Sequence, residues 1–579
     1  MNEHSRVVLW QKLAARDSVS VIVIGAGING ISVFRELSLQ GVDVILVDKA
    51  DYCGGASAAP SRMIHGGLRY LESGETDLVR ESLAERNALL RNAPHFVQPL
   101  PTTIPIFSWL TGVGSAISRV LGRAAKPSRR GALIIKLGLW LYDFYTRRQQ
   151  VLPRHQFHNQ IATHERWPEL NKALVCSATY YDAWISYPER LGMEMVLDTV
   201  QQCPQALALN YVSVAGFEDG KVVLHDEASG EQCRIKPDIV INATGAWIDL
   251  TNEALTDPTD FIGGTKGSHL IVANERLREA TGDHMIFYET PDGRVCILFP
   301  FMGNVLVGST DLPVDSPEGN YCTPEEEAYI LKSLEFVFPD IRIKPDEIVY
   351  RFSGIRPLPR SDADQTGQIS RNHLCRLTPP TEQRSFPVYS MIGGKWTTFR
   401  AFGEQVANQV LARLGQPRTV STGQMAIGGG RDYPADAVGI NALLTRWSNH
   451  YQLPLPRITD LFERYGTRAE QVADYLAGGP DRPLSSQADY SEREIEFLIV
   501  QEAVLTLNDL VLRRTSLAIA GKLTGETLVE LQTHLTRMRG LTPEQAQLML
   551  AETQNYLTHF HGLTPRQLAD PEHHKAQSA

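Results

Sequence analysis

The segment Val21-Ile-Val-Ile-Gly-Ala-Gly-Ile-Asn-Gly30 constrains this chain more than any other. Its apolar β-formers read as a buried strand, and Gly25, Gly27 and Gly30 complete G-x-G-x-x-G as the chain turns into a helix, with Ile31 to Leu39 continuing at helical spacing. Gly41 ends that helix, Val42-Asp-Val-Ile-Leu-Val47 forms a second strand, and Asp48 closes it. Each position has a mechanical reason. Gly25 permits the tight turn, Gly27 lets backbone approach a pyrophosphate, and Gly30 lets helix and strand pack closely, while the helix N-terminus faces the anion. Asp48 lies where an acidic side chain takes the ribose hydroxyls of an adenosine. Strands, turn and acid in register define a dinucleotide-binding unit, which does not by itself separate NAD from FAD.

A chain of 579 residues, 43% hydrophobic and 21% charged, has the length and composition of a soluble protein with several domains and a large core. Its net charge of −10 argues against general nucleic-acid binding. Seven cysteines without a C-x-x-C pair point to reduced thiols in the cytosol, with neither a disulfide framework nor a metal site. The polar N-terminus lacks an apolar signal core, so export is not expected. Charge is unevenly spread. Between Glu85 and Asp143 there is no acidic residue, while Arg86, Arg91, Arg119, Arg123, Lys126, Arg129, Arg130 and Lys136 fall there. Ile104-Pro-Ile-Phe-Ser-Trp-Leu110 and Leu133-Ile-Ile-Lys-Leu-Gly-Leu-Trp-Leu-Tyr142 occupy the same interval. Neither reaches the roughly 20 apolar residues of a spanning helix, so the pattern predicts a surface resting on anionic lipid or, alternatively, a core helix pair joined by a solvated basic loop.

Farther on, Asp238-Ile-Val-Ile-Asn242 reads as a strand opening into Ala243-Thr-Gly-Ala-Trp247, a second small-residue turn where backbone can approach a cofactor. Short β-rich runs between about 260 and 390 predict an antiparallel, substrate-facing sheet. After Gly428-Gly-Gly430, a plausible boundary, helical runs such as Glu492–Val504 and Leu507–Ala520 take over. The tail after Pro571 reads as disordered.

Five further motifs carry chemistry. The loop Gly54-Gly-Ala-Ser-Ala-Ala-Pro-Ser61 precedes His65-Gly-Gly-Leu-Arg-Tyr70, where paired glycines expose amides beside the fixed charge of Arg69. His269, in Lys266-Gly-Ser-His269, can accept a hydroxyl proton near neutral pH. Arg356 in Ser353-Gly-Ile-Arg-Pro357 and Arg371 in Ile369-Ser-Arg-Asn-His373 offer, with Arg69, a forked clamp for a phosphate dianion. Gly393-Gly-Lys-Trp-Thr-Thr-Phe-Arg400 supplies two glycines, the cation of Lys395 and a following helix.

In this order and spacing, together with Arg464-Tyr-Gly466 and Asp509-Leu-Val-Leu-Arg-Arg-Thr515, the motifs make the chain resemble the FAD-dependent, quinone-linked glycerol-3-phosphate dehydrogenases. The resemblance implies α/β plus α architecture: a glutathione-reductase-type FAD-binding Rossmann domain, an antiparallel β substrate domain and a helical C-terminal domain. The implied boundaries are an FAD-dependent oxidoreductase region at about 18–425 and a helical domain at about 430–570, with a tail at 571–579. Within the first, FAD-binding segments fall at about 18–100, 190–260 and 385–415, interleaved with substrate segments at about 101–189 and 261–384. Carried over residue by residue, Arg69 and Tyr70 line the substrate pocket, His269 is the general base, Arg356 and Arg371 hold phosphate, and Lys395 sits near flavin and substrate. Gly25, Gly27, Gly30, Asp48, Thr244 and Gly245 hold the dinucleotide, with Ser57, Ser61 and Gly394 toward the flavin.

The implied reaction is oxidation of sn-glycerol 3-phosphate to dihydroxyacetone phosphate, with electrons passed to ubiquinone. The implied state is a homodimer attached peripherally to the cytoplasmic face of the inner membrane. Two departures bear on substrate. Ala56-Ser-Ala-Ala-Pro-Ser-Arg62 has lost hydroxyls and gained a proline, and Tyr187-Pro-Glu-Arg-Leu191 keeps only the Arg-Leu of the family's segment. They leave room for another polyol phosphate, such as erythritol 4-phosphate, and a soluble oxygen-using oxidase or a non-catalytic flavin sensor are the alternatives of other kinds.

Overall fold

The computed structural model of the chain describes residues 6–68, 75–111, 130–146, 151–361, 369 and 371–569. Arg69, Tyr70, the tail at 571–579 and positions 112–129 of the basic interval lie outside the described residues.

The Val21–Ile24 run is completely buried up to its last residue, and this fixes the strand Ser18–Ile24 at the centre of the first sheet. It lies between Gln232–Asn242 and Val44–Val47, both parallel to it, and Val388–Ile392 and Leu207–Leu209 extend the parallel set on either side. Ile24 pairs with both Asn242 and Val47, and Asn242 pairs with Ser390. The turns at Gly25, Asp48, Ala243 and Gly393 therefore leave the sheet at one edge, the carboxyl ends of parallel strands, where α/β folds bind ligands. The helices Ile28–Leu39, Pro188–Gln202 and Phe399–Leu414 bury their apolar sides in the core beside this sheet.

The second sheet is ten-stranded, and its pairings are antiparallel except where Met285–Glu289 joins Val97–Ile106. Its strand Thr265–Val272 is buried along its whole length, between Asn304–Gly308 and Ile348–Arg356. Leu270 and Val272 pack with residues of the helices Glu275–Thr281 and Pro324–Val337. Ile271, Phe299, Phe301 and Tyr350 share a core with Leu461, Leu498 and Leu510 of the helical region.

Gly428-Gly-Gly430, marked by the sequence as a boundary, is a buried, tightly packed turn: a Cβ on Gly429 would lie 1.9 Å from the Tyr465 carbonyl oxygen, and one on Gly430 2.3 Å from that of Asn92. The helical run expected over Leu507–Ala520 ends at Arg514, because Leu510–Arg514 winds as a π-helical turn. That wider turn brings two consecutive arginines onto one buried carboxylate, as described below.

Candidate active site

Where the first sheet's strands end, two glycine turns face each other. Gly25 has φ +100°, and a Cβ there would meet the Ala243 carbonyl oxygen at 2.6 Å. On Gly30 a Cβ would lie 1.9 Å from the Gly25 oxygen. Only main chain fits at this crossing. The Ser57 hydroxyl accepts from the Ile28 amide at 2.9 Å, at the N-terminus of the helix that Gly27 caps. Asp48 accepts from the amides of Ala26 (2.6 Å) and Ala50 (2.9 Å), so its carboxylate braces the glycine turn. Burial pushes Asp48 up to about 6. On the facing turn the Thr244 hydroxyl donates to Asn242 Oδ1 at 2.7 Å and Gly245 adopts φ +62°.

From this crossing a continuous cavity of about 2840 Å³ runs past Trp247, Ser57 and Gly394 to the second sheet. A drug-sized ligand fills roughly 300–1,000 Å³, so the space suits an extended dinucleotide and a second, small molecule. Two buried polar atoms along it, Trp247 Nε1 and Asn29 Oδ1, have no partner among the described residues. Gly393 and Gly394 have φ +74° and +101°, and the Asn29 amide donates to the Gly393 carbonyl. Main-chain cradles, a helix N-terminus, a braced acid and unpaired polar groups form the set of donors and acceptors that a dinucleotide requires.

The second sheet brings the remaining candidates to the far end of the cavity. His269 is 1% exposed, stacked on Phe352 with ring centres 4.8 Å apart and planes 10° from parallel. On its other side lies Gly308, where a Cβ would be 2.2 Å from the imidazole. The ring is thus held in a slot, and Nε2 lies 2.8 Å from the hydroxyl of Ser61, which lines the cavity. Ser61, expected on the flavin side, accordingly stands between the histidine and the cavity. Burial, with Arg356 and Arg62 adding to it, pushes His269 down to about 3, so the imidazole is neutral at physiological pH.

Arg356 and Arg371 both turn to a residue that the sequence reading did not single out. Arg356 donates to Asp311 Oδ1 and Arg371 to Asp311 Oδ2, each at 3.0 Å. Asp311 follows the buried strand Asn304–Gly308, which pairs with the His269 strand; an acid one turn beyond that strand was the available signal. Lys395 donates to the Ser82 hydroxyl at 2.6 Å, and burial pushes its ammonium down to about 8 against the pull of Glu81 and Glu75.

Behind the His65-Gly-Gly loop lies a second group that sequence alone did not assemble. One oxygen of buried Asp182 accepts from Arg86 (2.9 Å), Tyr142 (2.7 Å) and the Gly66 amide (2.9 Å). Arg86 is therefore no lipid-facing cation, and Arg130, 2.8 Å from Glu289, is likewise paired. The two departures from the family pattern meet: Arg62 pairs with Glu189 at 3.1 Å, both buried, and donates to the Ser186 carbonyl.

The FAD dependent oxidoreductase family model matches residues 20–409, and the model for the C-terminal domain of alpha-glycerophosphate oxidase matches 420–545. A Synechocystis protein named glycerol-3-phosphate dehydrogenase is 33% identical over 554 residues, covering 91% of this chain and 94% of its own. A Brucella abortus D-erythritol 1-phosphate dehydrogenase is 26% identical, covering 87% of this chain and 95% of its own. In fold, the chain is similar to the Bacillus halodurans glycerol-3-phosphate dehydrogenase solved with FAD, with a TM-score of 0.74 at 21% identity over 97% of this chain and 98% of that one.

Proposed function

Because this chain belongs to the family of FAD-dependent glycerol-3-phosphate dehydrogenases, we propose that it oxidises the C2 hydroxyl of sn-glycerol 3-phosphate to dihydroxyacetone phosphate and passes the electrons to a membrane quinone. The observation that carries the chemical half is the convergence of a neutral, slotted His269 and the Arg356–Asp311–Arg371 group on one cavity that continues into the dinucleotide cradle. Gly25, Gly27, Gly30, Asp48, Thr244 and Gly245 hold the dinucleotide, and Gly394 and Ser57 border its reactive end. Bound FAD supplies the two-electron acceptor for the C2 hydrogen. Arg356 and Arg371 turn their forks from Asp311 to the phosphate dianion and fix the alcohol's orientation. His269 Nε2 takes the hydroxyl proton by way of the Ser61 hydroxyl. Lys395 adds positive charge beside the forming carbonyl. The family resemblance adds Arg69 and Tyr70, which lie outside the described residues, to the side chains expected to contact substrate.

The membrane half is supported by the helix Ala132–Thr146. Leu133, Leu137, Trp140 and Phe144 recur along one of its sides, and all are exposed. Its first turn is bonded to the Ser108–Thr111 turn, which exposes Trp109 and Leu110. Such a patch on a monomer marks an interaction surface, and Leu137 also borders the cavity, giving an apolar acceptor a short path inward. No helix among the described residues is long and apolar enough to cross a membrane, and the attachment proposed is through this exposed patch, on the cytoplasmic face. The C-terminal match to an alpha-glycerophosphate oxidase supports a second reading, with oxygen as acceptor.

Anaerobic addition of substrate tests the reaction. Glycerol 3-phosphate should bleach the flavin, faster than erythritol 4-phosphate does and far faster than glycerol. A flavin that stays oxidised with every polyol phosphate removes the proposal. Peroxide formed as fast as quinone is reduced would select the oxidase.

A further inference from the structure

The cofactor segment after the second strand does not lie along the cavity throughout. Asp48, Lys49 and Ala50 line it, and so do the residues from Gly54 to Ser61. Between them the chain dives inward: Asp51, Tyr52 and Cys53 are each 2% exposed or less. Asp51 is gripped there from the helical C-terminal region. Arg514 donates to it through both Nη atoms, at 2.8 and 2.9 Å, and Arg513 through Nε at 2.5 Å. The Asn210 amide adds a bond at 2.9 Å and also donates to the Ala503 carbonyl. The arginines are themselves fixed: Arg513 donates to Asp509, which also accepts from Tyr211, and Arg514 Nε donates to the Glu502 carbonyl. Burial alone would raise the Asp51 carboxyl, but the two guanidiniums reverse this and hold it well below the usual carboxylate range.

A buried carboxylate shared by two arginines is costly to desolvate and tolerates little displacement. Its neighbours in sequence are the Asp48 brace on one side and the Ser57 helix-capping hydroxyl on the other, both at the dinucleotide cradle. The Cys53 amide further ties the dive to the glycine turn, donating to the Ala26 carbonyl at 2.9 Å. We propose that Asp51, clamped by Arg513 and Arg514, is a positioning residue for the cofactor, through which the helical C-terminal region sets the 48–61 segment and so governs how tightly FAD is held. The proposal rests on the FAD binding of the family and on neither the substrate nor the electron acceptor.

The test is release of FAD from diluted holoenzyme, followed by the recovery of free-flavin fluorescence, with thermal unfolding of the same samples in parallel. Asp51→Asn is expected to raise the FAD dissociation constant at least tenfold, and Arg514→Lys, which keeps the charge and loses the fork, three- to tenfold. Glu494→Gln is the control: this carboxylate is equally buried and held by Arg457, Arg464 and Tyr465, but touches nothing in the cofactor segment. It should lower the unfolding temperature and leave FAD release within twofold of the parent. An Asp51→Asn or Arg514→Lys protein that folds and releases FAD like the parent overturns the proposal. Loss of FAD in all three variants in proportion to lost stability does so too, since it reduces the clamp to ordinary structure. Should Asp51→Asn fail to fold, Arg514→Lys and the control decide. A parent protein that holds no FAD would instead sink the family reading itself.

Discussion

His269→Asn is the substitution whose consequence the structure defines most closely. The imidazole sits parallel to Phe352 at 4.8 Å, above Gly308, with Nε2 on Ser61. Asparagine is smaller than the ring and creates no overlap, so the loss to stability is about that of one aromatic contact and one hydrogen bond, ~1–3 kcal/mol. The loss to catalysis is much larger. Removing a positioned general base lowers a rate by about 10²–10⁴, equivalent to ~2.7–5.5 kcal/mol in the barrier. The expected result in anaerobic stopped-flow is flavin bleaching slowed by at least 100-fold, roughly the lower end of that range, with FAD content unchanged.

Gly308→Ala approaches the same ring from the opposite side. Its Cβ would lie 2.2 Å from the imidazole and push it off Ser61, so bleaching should slow about tenfold or more with FAD retained. The pH profile adds a third reading. With His269 down at about 3, this base stays neutral through the weakly acid range and places no limb near 6.5 on kcat/KM. Stability runs the other way: the unfolded chain takes up a proton on this histidine below its ordinary value of about 6.5, so stability falls as pH drops from there toward 3. Bleaching of His269→Asn within threefold of the parent would refute the assignment of the base.

Gly30→Ala places a Cβ 1.9 Å from the Gly25 carbonyl oxygen, and the expected product is folded but colourless protein, checked by flavin absorbance against circular dichroism. Lys395, lowered to about 8 by burial, must lose its proton as pH rises through that value; kcat/KM should fall with it, and Lys395→Arg should abolish that alkaline limb even if the overall rate drops. Leu133→Ser combined with Trp140→Ala removes two large exposed apolar side chains from the Ala132–Thr146 helix, and neither residue borders the cavity. Co-sedimentation with anionic liposomes should fall about fivefold or more, with flavin bleaching by substrate unchanged.

The cofactor cradle was legible in the chain because its determinants are local. Gly25, Gly27 and Gly30 fall within six residues, and the strand, turn and helix around them are set by apolar period, by the positive φ of Gly25 and by a backbone approach at Gly30 that leaves no room for a Cβ. The second cradle turn, at Ala243–Trp247, was legible for the same reason. Single motifs also marked His269, Arg356, Arg371 and Lys395 as candidates, but not the geometry that links them. That His269 reaches the cavity through Ser61, or that both arginines meet Asp311, depends on strand register across the second sheet, where His269 lies between Gly308 and Phe352. Periodicity fixes which face of each strand is buried, but not which residue of a strand so far away in sequence stands opposite.

Charge misled in the same way. Arg86 and Arg130 counted toward a basic surface until the fold supplied Asp182 and Glu289 as partners. The same distance in sequence hid the Asp51 clamp, whose arginines lie more than 450 positions away and are aligned only by a π turn. Sequence by itself determined that this chain builds a dinucleotide-binding turn, strand and helix, since backbone conformation and apolar period act over a few residues. The tertiary structure alone decided which charges are buried together, because a buried carboxylate takes as partner whichever cation the folded core brings within hydrogen-bonding reach.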